Sequence, residues 1–312
     1  MNNQLVKGIE RILADCTGVN LFFVMRDEHS IKRVDIENGD TQTEIDEVFR
    51  NRLESDYLSI DIEVLDLSKA DSRNDVIYRY DFDEFPEKLL FYKEFEYNRE
   101  YDLFSFSEDD LSNLDALLIV VGNQNDYCVL YKKFYPVMYI GRGGLCLIRS
   151  KTRFRKLEEE VLRINSDYQY IIVDGEMYIL KLETLERFAD FHNVIEKEAV
   201  STVNTIDNLG ILEEPEILNE MIADDISFAR KLCKIGRTSP IISKKISGAE
   251  LIRFSKTQPG LNDKFKYNVT GNQIILTSNA SKRAFLKMLD DSYLISELTN
   301  TYYDSSAKDL VQ

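Results

Sequence analysis

From residue 117 to 183 the apolar residues fall in short runs, and beyond residue 192 they recur at helical spacing. That change of period limits the fold more than any other feature of the chain. LLIVVG (117–122), YCVLYKKF (127–134), VMYI (137–140) and LCLIR (145–149) are β-branched or aromatic runs parted by turn residues. YQYIIVDGEMYILKLE (168–183) reads as a hairpin turning at Asp174-Gly175, with a helix starting near Thr184. Later, NVIEKEAVSTVNTIDNL (193–209) and EPEILNEMIADDISFARKLCKI (214–235) are predicted helices. In the second, Ile217, Met221, Phe228, Leu232 and Ile235 trace one stripe, with Gly236 as the expected C-cap. A further helix starts at Ser247 or Gly248, a hairpin turns at Thr270-Gly271-Asn272 within 264–278, and a capped helix covers 278–291. The expected fold is α+β, with a strand-rich region over 1–191 and a mostly helical region with one hairpin over 192–312.

The front of the chain adds strands at 21–27, 31–37 and 59–67 and an amphipathic helix at 43–58, while 81–106 mixes aromatic and charged residues without a clear period. With 312 residues, 44% of them hydrophobic and 34 of them Phe or Tyr, the chain can bury a sizeable core. The longest apolar run, Ala116 to Val121, is far short of the roughly 18 residues a membrane span needs. The N-terminus reads as an amphipathic helix rather than a signal peptide, and Cys16, Cys128, Cys146 and Cys233 are too scattered for a metal site or disulfide framework. A cytoplasmic protein with buried, reduced thiols is the expectation.

Charge separates the regions further. The chain carries 39 basic and 55 acidic residues, a net of −16, and residues 35–126 alone hold 26 acids against 8 bases. Between Phe228 and Lys287 there are thirteen Lys/Arg and two acids, a net of +11. A basic block in an acidic protein suits a polyanion. Arg230, Lys231, Lys234, Arg237, Lys244 and Lys245 form its front, and Lys282, Arg283 and Lys287 lie on the helix opening at Ser278. RSKTRFRK (149–156) offers Arg149, Lys151, Arg153 and Arg155 around Phe154, a pairing of bases and an aromatic that suits phosphates and stacked bases. These thirteen residues are the candidate DNA contacts. Glu at Lys231, Lys234 and Arg237 together is expected to abolish binding and leave the fold intact.

Catalytic signals are sparse. His29 and His192 stand in unrelated contexts, His192 reading as a packed or capping residue, and no GxSxG, HExxH or P-loop occurs. No cofactor, metal site or catalytic residue is assigned. Asp174, Glu176 and Lys181 keep a metal-dependent nuclease open, although the Glu and the Lys lie five positions apart. GRGG (141–144) is either a plain tight loop or a phosphate nest pointing Arg142 at its ligand. A third reading docks the basic block on anionic lipid or on acidic loops of a partner, with no DNA involved.

FSKTQPGLNDKFKYNVTGNQIILTSNASKRAFLKMLDDSYLISELTNTYYDSSAKD (254–309) resembles the ending of the KwaB family, cytoplasmic components of the Kiwa anti-phage defence system. SKRAFLKMLDD and LTNTYYDSSAKD are its most distinctive pieces, and YIIVDGEMYILKLETLERF (170–188) is similar to an earlier segment of the family's shared domain. The resemblance implies a multi-pass membrane partner, KwaA, that holds this protein at the inner face of the membrane. It also implies binding of double-stranded phage DNA that obstructs replication or transcription. It carries no catalytic motif. A homodimer or larger assembly is expected, because multivalency raises avidity for a long polyanion.

Overall fold

Residues 18–25 and 114–133 alternate two apolar rows, so a sheet built from them has two faces to cover. The computed structural model describes residues 4–27, 29–37, 39–70, 76–140, 147–150, 153–156, 161–295 and 302–304. The chain forms two compact units, Met1–Asp81 with Glu87–Ala189, and Phe82–Pro86 with Asp190–Gln312.

The first unit begins with α1 (Gln4–Ala14), β1 (Gly18–Met25), β2 (Ile31–Arg33), α2 (Gly39–Leu53), β3 (Glu63–Asp66), β4 (Val76–Arg79) and α3 (Leu90–Lys93). Then come β5 (Leu114–Gly122), β6 (Tyr127–Lys133), β7 (Tyr139–Ile140), β8 (Leu147–Ser150), β9 (Arg153–Lys156), β10 (Val161–Leu162), β11 (Tyr170–Val173), β12 (Glu176–Ile179) and α4 (Leu182–Phe188). Eight strands make one sheet in the order β2-β1-β5-β6-β11-β12-β4-β3, antiparallel except where β3 runs beside β4. The turn at Asp174-Gly175 has φ of 52° and 78°, the left-handed pair that a two-residue hairpin requires.

On one face Leu21, Phe23, Leu117, Ile119, Leu130 and Ile171 meet α1 through Leu5, Ile9 and Ile12, and α2 through Phe49 and Leu53. The opposite row is covered by the stretch whose sequence shows no period. Phe22 lies edge-on to Phe95 and Tyr101 at 5.1 and 5.4 Å, and Tyr92 Oη donates to the Val129 carbonyl at 2.6 Å. Ring contacts order this layer, and its acids Glu94, Glu96 and Glu100 stay exposed.

The second unit holds α5 (Phe191–Asp207), α6 (Ile217–Asp224), α7 (Ile226–Thr238), α8 (Pro240–Ser243), α9 (Gly248–Thr257), β13 (Lys266–Tyr267), β14 (Ile274–Ile275), α10 (Asn279–Leu289), β15 (Tyr293–Ile295) and β16 (Tyr302–Asp304). The α+β class holds, with strands concentrated in the first unit and helices with a small hairpin in the second. The single helix expected over 214–235 is two. Asp225 leaves helical geometry (φ −139°, ψ 95°) and its carboxylate accepts from Ser227 N and Phe228 N, at 3.0 and 3.2 Å. A side chain able to cap has outcompeted helix continuation.

Gly236 does not end α7 either. It lies inside the helix, where a Cβ would come within 2.3 Å of Thr202 Oγ1 on α5, so its role is close helix approach. His192, expected to pack or cap, is exposed in the first turn of α5. Among the described residues, Cys128 and Cys233 are buried free thiols and Cys16 is half-buried.

Candidate nucleic-acid interface

Helix α7 buries Phe228, Ala229, Leu232, Cys233 and Ile235. Its apolar face is fixed to the unit's interior, where the Cys233 thiol donates to the Ile195 carbonyl of α5 at 3.2 Å. That rotation leaves Lys231 exposed and Arg230 and Lys234 half-buried, the latter two one helical turn apart. Pro240 opens α8 straight after, with Ser239 as N-cap, and Lys244 and Lys245 follow it, both exposed. Lys245 takes the left-handed backbone (φ 53°) that stops the chain from continuing as helix. Lys231, Lys244 and Lys245 form no ion pair among the described residues.

The remaining bases of the block are arranged differently. Arg237 Nε donates to Glu198 Oε1 at 2.8 Å, and its guanidinium sits 4.9 Å from the centre of the Phe82 ring. Lys282 is buried with its Nζ 3.7 Å from Glu220. Arg283 reaches Asp225 at 3.0 Å, and that carboxylate is held below its usual range although burial opposes it, by the Phe228 N–H, Arg283 and the Ser227 N–H. Lys287 is half-buried. The N-terminus of α10 is occupied by its own capping box, formed by Ser278 and Ser281. Glu at position 237 would set two carboxylates side by side, so a charge reversal there perturbs the fold. We expect Arg237→Ala to cost about 1–2 kcal/mol and to lower the melting temperature by a few degrees, with DNA affinity unchanged. A melting curve beside a DNA titration checks this.

The second group splits. Arg153 and Arg155 are exposed on β9, with Phe154 between them 72% exposed, and Arg149 on β8 pairs with Phe154 in the register. The ribbon β8–β9 stands apart from the large sheet. Lys151, Arg142 and the GRGG loop lie outside the described residues.

Of the three residues that would serve a nuclease, Asp174 is bound to Arg11 at 2.7 Å, and Glu176 and Lys181 are exposed. Among the described residues no group of three or more His, Cys, Asp or Glu is placed to hold a metal ion.

Sequence reasoning missed two features. Arg253, Lys264 and Lys266 are exposed members of the same basic block. In the first unit, Lys132 is 3% exposed and lines a cleft of about 490 Å³ together with Arg163, Lys181 and Arg187. The available signal was a lysine in the apolar row Cys128, Leu130, Lys132 of one strand.

The model of a family described as Kiwa protein KwaB-like matches residues 111–299. Kiwa protein KwaB of Escherichia coli O55:H7 (strain RM12579 / EPEC) is 27% identical over 320 residues, covering 98% of each chain. No solved structure matches this chain. With more than half of its length matched by the family model, the chain belongs to the KwaB-like family of Kiwa proteins.

Proposed function

We propose that this component of the Kiwa anti-phage system binds double-stranded phage DNA without cutting it and blocks replication or transcription by occupancy. The observation that carries the reading is the set Lys231, Lys244 and Lys245. These cations are exposed, without carboxylate partners among the described residues, and follow one another across α7 and α8 in a protein of net charge −16. Exposed ammonium groups in that setting are attracted to phosphates, whereas the acidic remainder repels them. Arg153 and Arg155 share one face of β9 and supply a second pair of exposed cations for a nucleic-acid backbone, with exposed Phe154 on the opposite face.

The protein acts in the cytoplasm, at the inner face of the membrane, where a multi-pass partner resembling KwaA holds it. No helix among the described residues is long and apolar enough to cross a membrane, which is consistent with location through a partner. Self-association into a dimer or larger assembly would multiply the phosphate contacts on one DNA molecule.

Titration of the purified chain against linear duplex DNA with EDTA, from about 50 to 300 mM salt, tests the reading. The logarithm of affinity should fall against that of salt with a slope of about −3 or steeper, given at least three phosphate contacts at ~0.9 each. The DNA should stay whole, also when Mg²⁺ replaces EDTA. Absence of binding at the lowest salt would overturn DNA binding and favour docking on a partner or anionic lipid. Cleavage dependent on Mg²⁺ would favour the nuclease.

A further inference from the structure

A lysine at a core position is the sharpest break of pattern in the large sheet. Side chains on β6 alternate, so Cys128, Leu130 and Lys132 share the face that packs against α1 and α2. The first two are fully buried in the core, and Lys132 is 3% exposed. Its Nζ donates to Asn165 Oδ1 and, at 2.6 Å, to the main-chain carbonyl of Asp167. Both partners are neutral, and it forms no ion pair among the described residues. An ammonium buried against neutral acceptors lacks the counter-charge that normally repays its desolvation.

The missing charge has room to enter. Lys132 forms part of the wall of the 490 Å³ cleft, a size typical of small-molecule sites. Arg163, Lys181 and Arg187 also line it, against two carboxylates, Asp167 and Glu183. Glu183 is held by Arg187 at 2.8 Å, and Asp167 accepts from Asn165 Nδ2 at 3.2 Å. The cleft thus holds a surplus of two positive charges within the more acidic part of the chain. Beside the cations stand Tyr135 and Phe188, their rings 6.1 Å apart and nearly perpendicular, with Phe188 40% exposed. Lys133 Nζ lies 5.9 Å from the centre of the Phe188 ring, and fixed cations beside this partly exposed aromatic pair match a ligand that carries a phosphate on a planar ring.

We propose that this cleft binds a nucleotide, its phosphate neutralising Lys132 with help from Arg163 and Lys181 and its base resting on the Tyr135–Phe188 pair. The site is separate from the α7–α8 cations, so it stands or falls independently of DNA binding there. The nucleotide would be either a free nucleoside monophosphate or the terminal nucleotide of a strand. Burial pushes the Lys132 ammonium from 10.5 down to about 8, with Asp167 opposing that shift and Lys181 adding to it. The proton needed for binding is held at neutral pH and lost above it, so affinity should fall as pH rises from 7.5 to 9.5.

Calorimetric titration of the full chain with AMP, GMP, CMP, UMP, inorganic phosphate and adenosine tests the site. At least one nucleotide should bind, at least about 10-fold tighter than phosphate or adenosine alone. Lys132→Met should weaken that binding at least about 20-fold, with an unchanged or raised melting temperature, because a buried charge is removed. Should Lys132→Met fail to fold, Arg163→Gln with Lys181→Gln alters exposed positions only and should still weaken binding about 10-fold. A short single strand with a 5′ phosphate, compared with its unphosphorylated form, distinguishes a strand end from a free nucleotide. No measurable binding of any nucleotide or phosphorylated strand, binding of phosphate as tight as any nucleotide, or binding indifferent to these substitutions would overturn the proposal.

Discussion

Replacing Lys231, Lys244 and Lys245 together by Glu is expected to weaken binding of linear duplex DNA by at least about 100-fold near physiological salt. In the proposed complex each substitution would remove one phosphate contact and add a charge that repels the neighbouring phosphates. All three side chains are exposed and engage no carboxylate among the described residues, so the melting temperature should move by no more than a degree or two. The accompanying sign is a shallower salt dependence, lower by about 0.9 per lost contact. A control with Lys7, Lys88 and Lys93 changed to Glu adds the same charge in the first unit and should lose far less affinity. Equal losses in both variants would mean that net charge, not these three positions, governs the interaction.

Gly122→Ala is expected to destabilise the first unit by about 3 kcal/mol, lowering its melting temperature by roughly 6–12 °C. Gly122 ends β5 with φ of 140°, and a Cβ there would stand 2.3 Å from the Asp126 carbonyl and 2.7 Å from Tyr127 Cα. Both obstacles are backbone, held by the bond from Asn123 N to the Asp126 carbonyl at 2.9 Å, so neither can rotate away. Gly122 also accepts from Thr17 N and Thr17 Oγ1, each at 3.1 Å, which ties the turn to the start of β1. Gly175→Asn gives the contrast. Its φ is 78° with open space around the missing Cβ, and Asn tolerates that region, so less than about 1 kcal/mol should be lost. Similar melting curves for the two variants would show that the β5–β6 loop relaxes.

What could be read beforehand follows physical range. The Asp174-Gly175 hairpin, the strand runs at 117–134 and the Ser247 and Ser278 helix starts depend on residues a few positions apart, and all are present. Effects that depend on a distant partner escaped. Gly236 has the look of a helix stop, and only the approach of Thr202 from α5 explains it. The aromatic layer over 92–101 has no period because each ring answers to a strand elsewhere in the chain. The same holds for the candidate interface. Charge counting gathered Arg237, Lys282 and Arg283 with Lys231 and Lys244, while their acidic partners, Glu198, Glu220 and Asp225, lie 39, 62 and 58 positions away.

The two rims of the eight-stranded sheet bear on how copies of this chain can meet. At β2, the amide and carbonyl of Arg33 that face away from β1 already bond to Asp102 and Phe104, at 2.8 and 2.9 Å. That rim is sealed by the protein's own backbone. At the other rim β3 is four residues long with an acid at each end. Two such strands placed antiparallel about a two-fold axis would set Glu63 of each against Asp66 of the other. Any symmetric assembly would therefore be steered away from a continuous intermolecular sheet, and side-chain surfaces would have to hold its copies together.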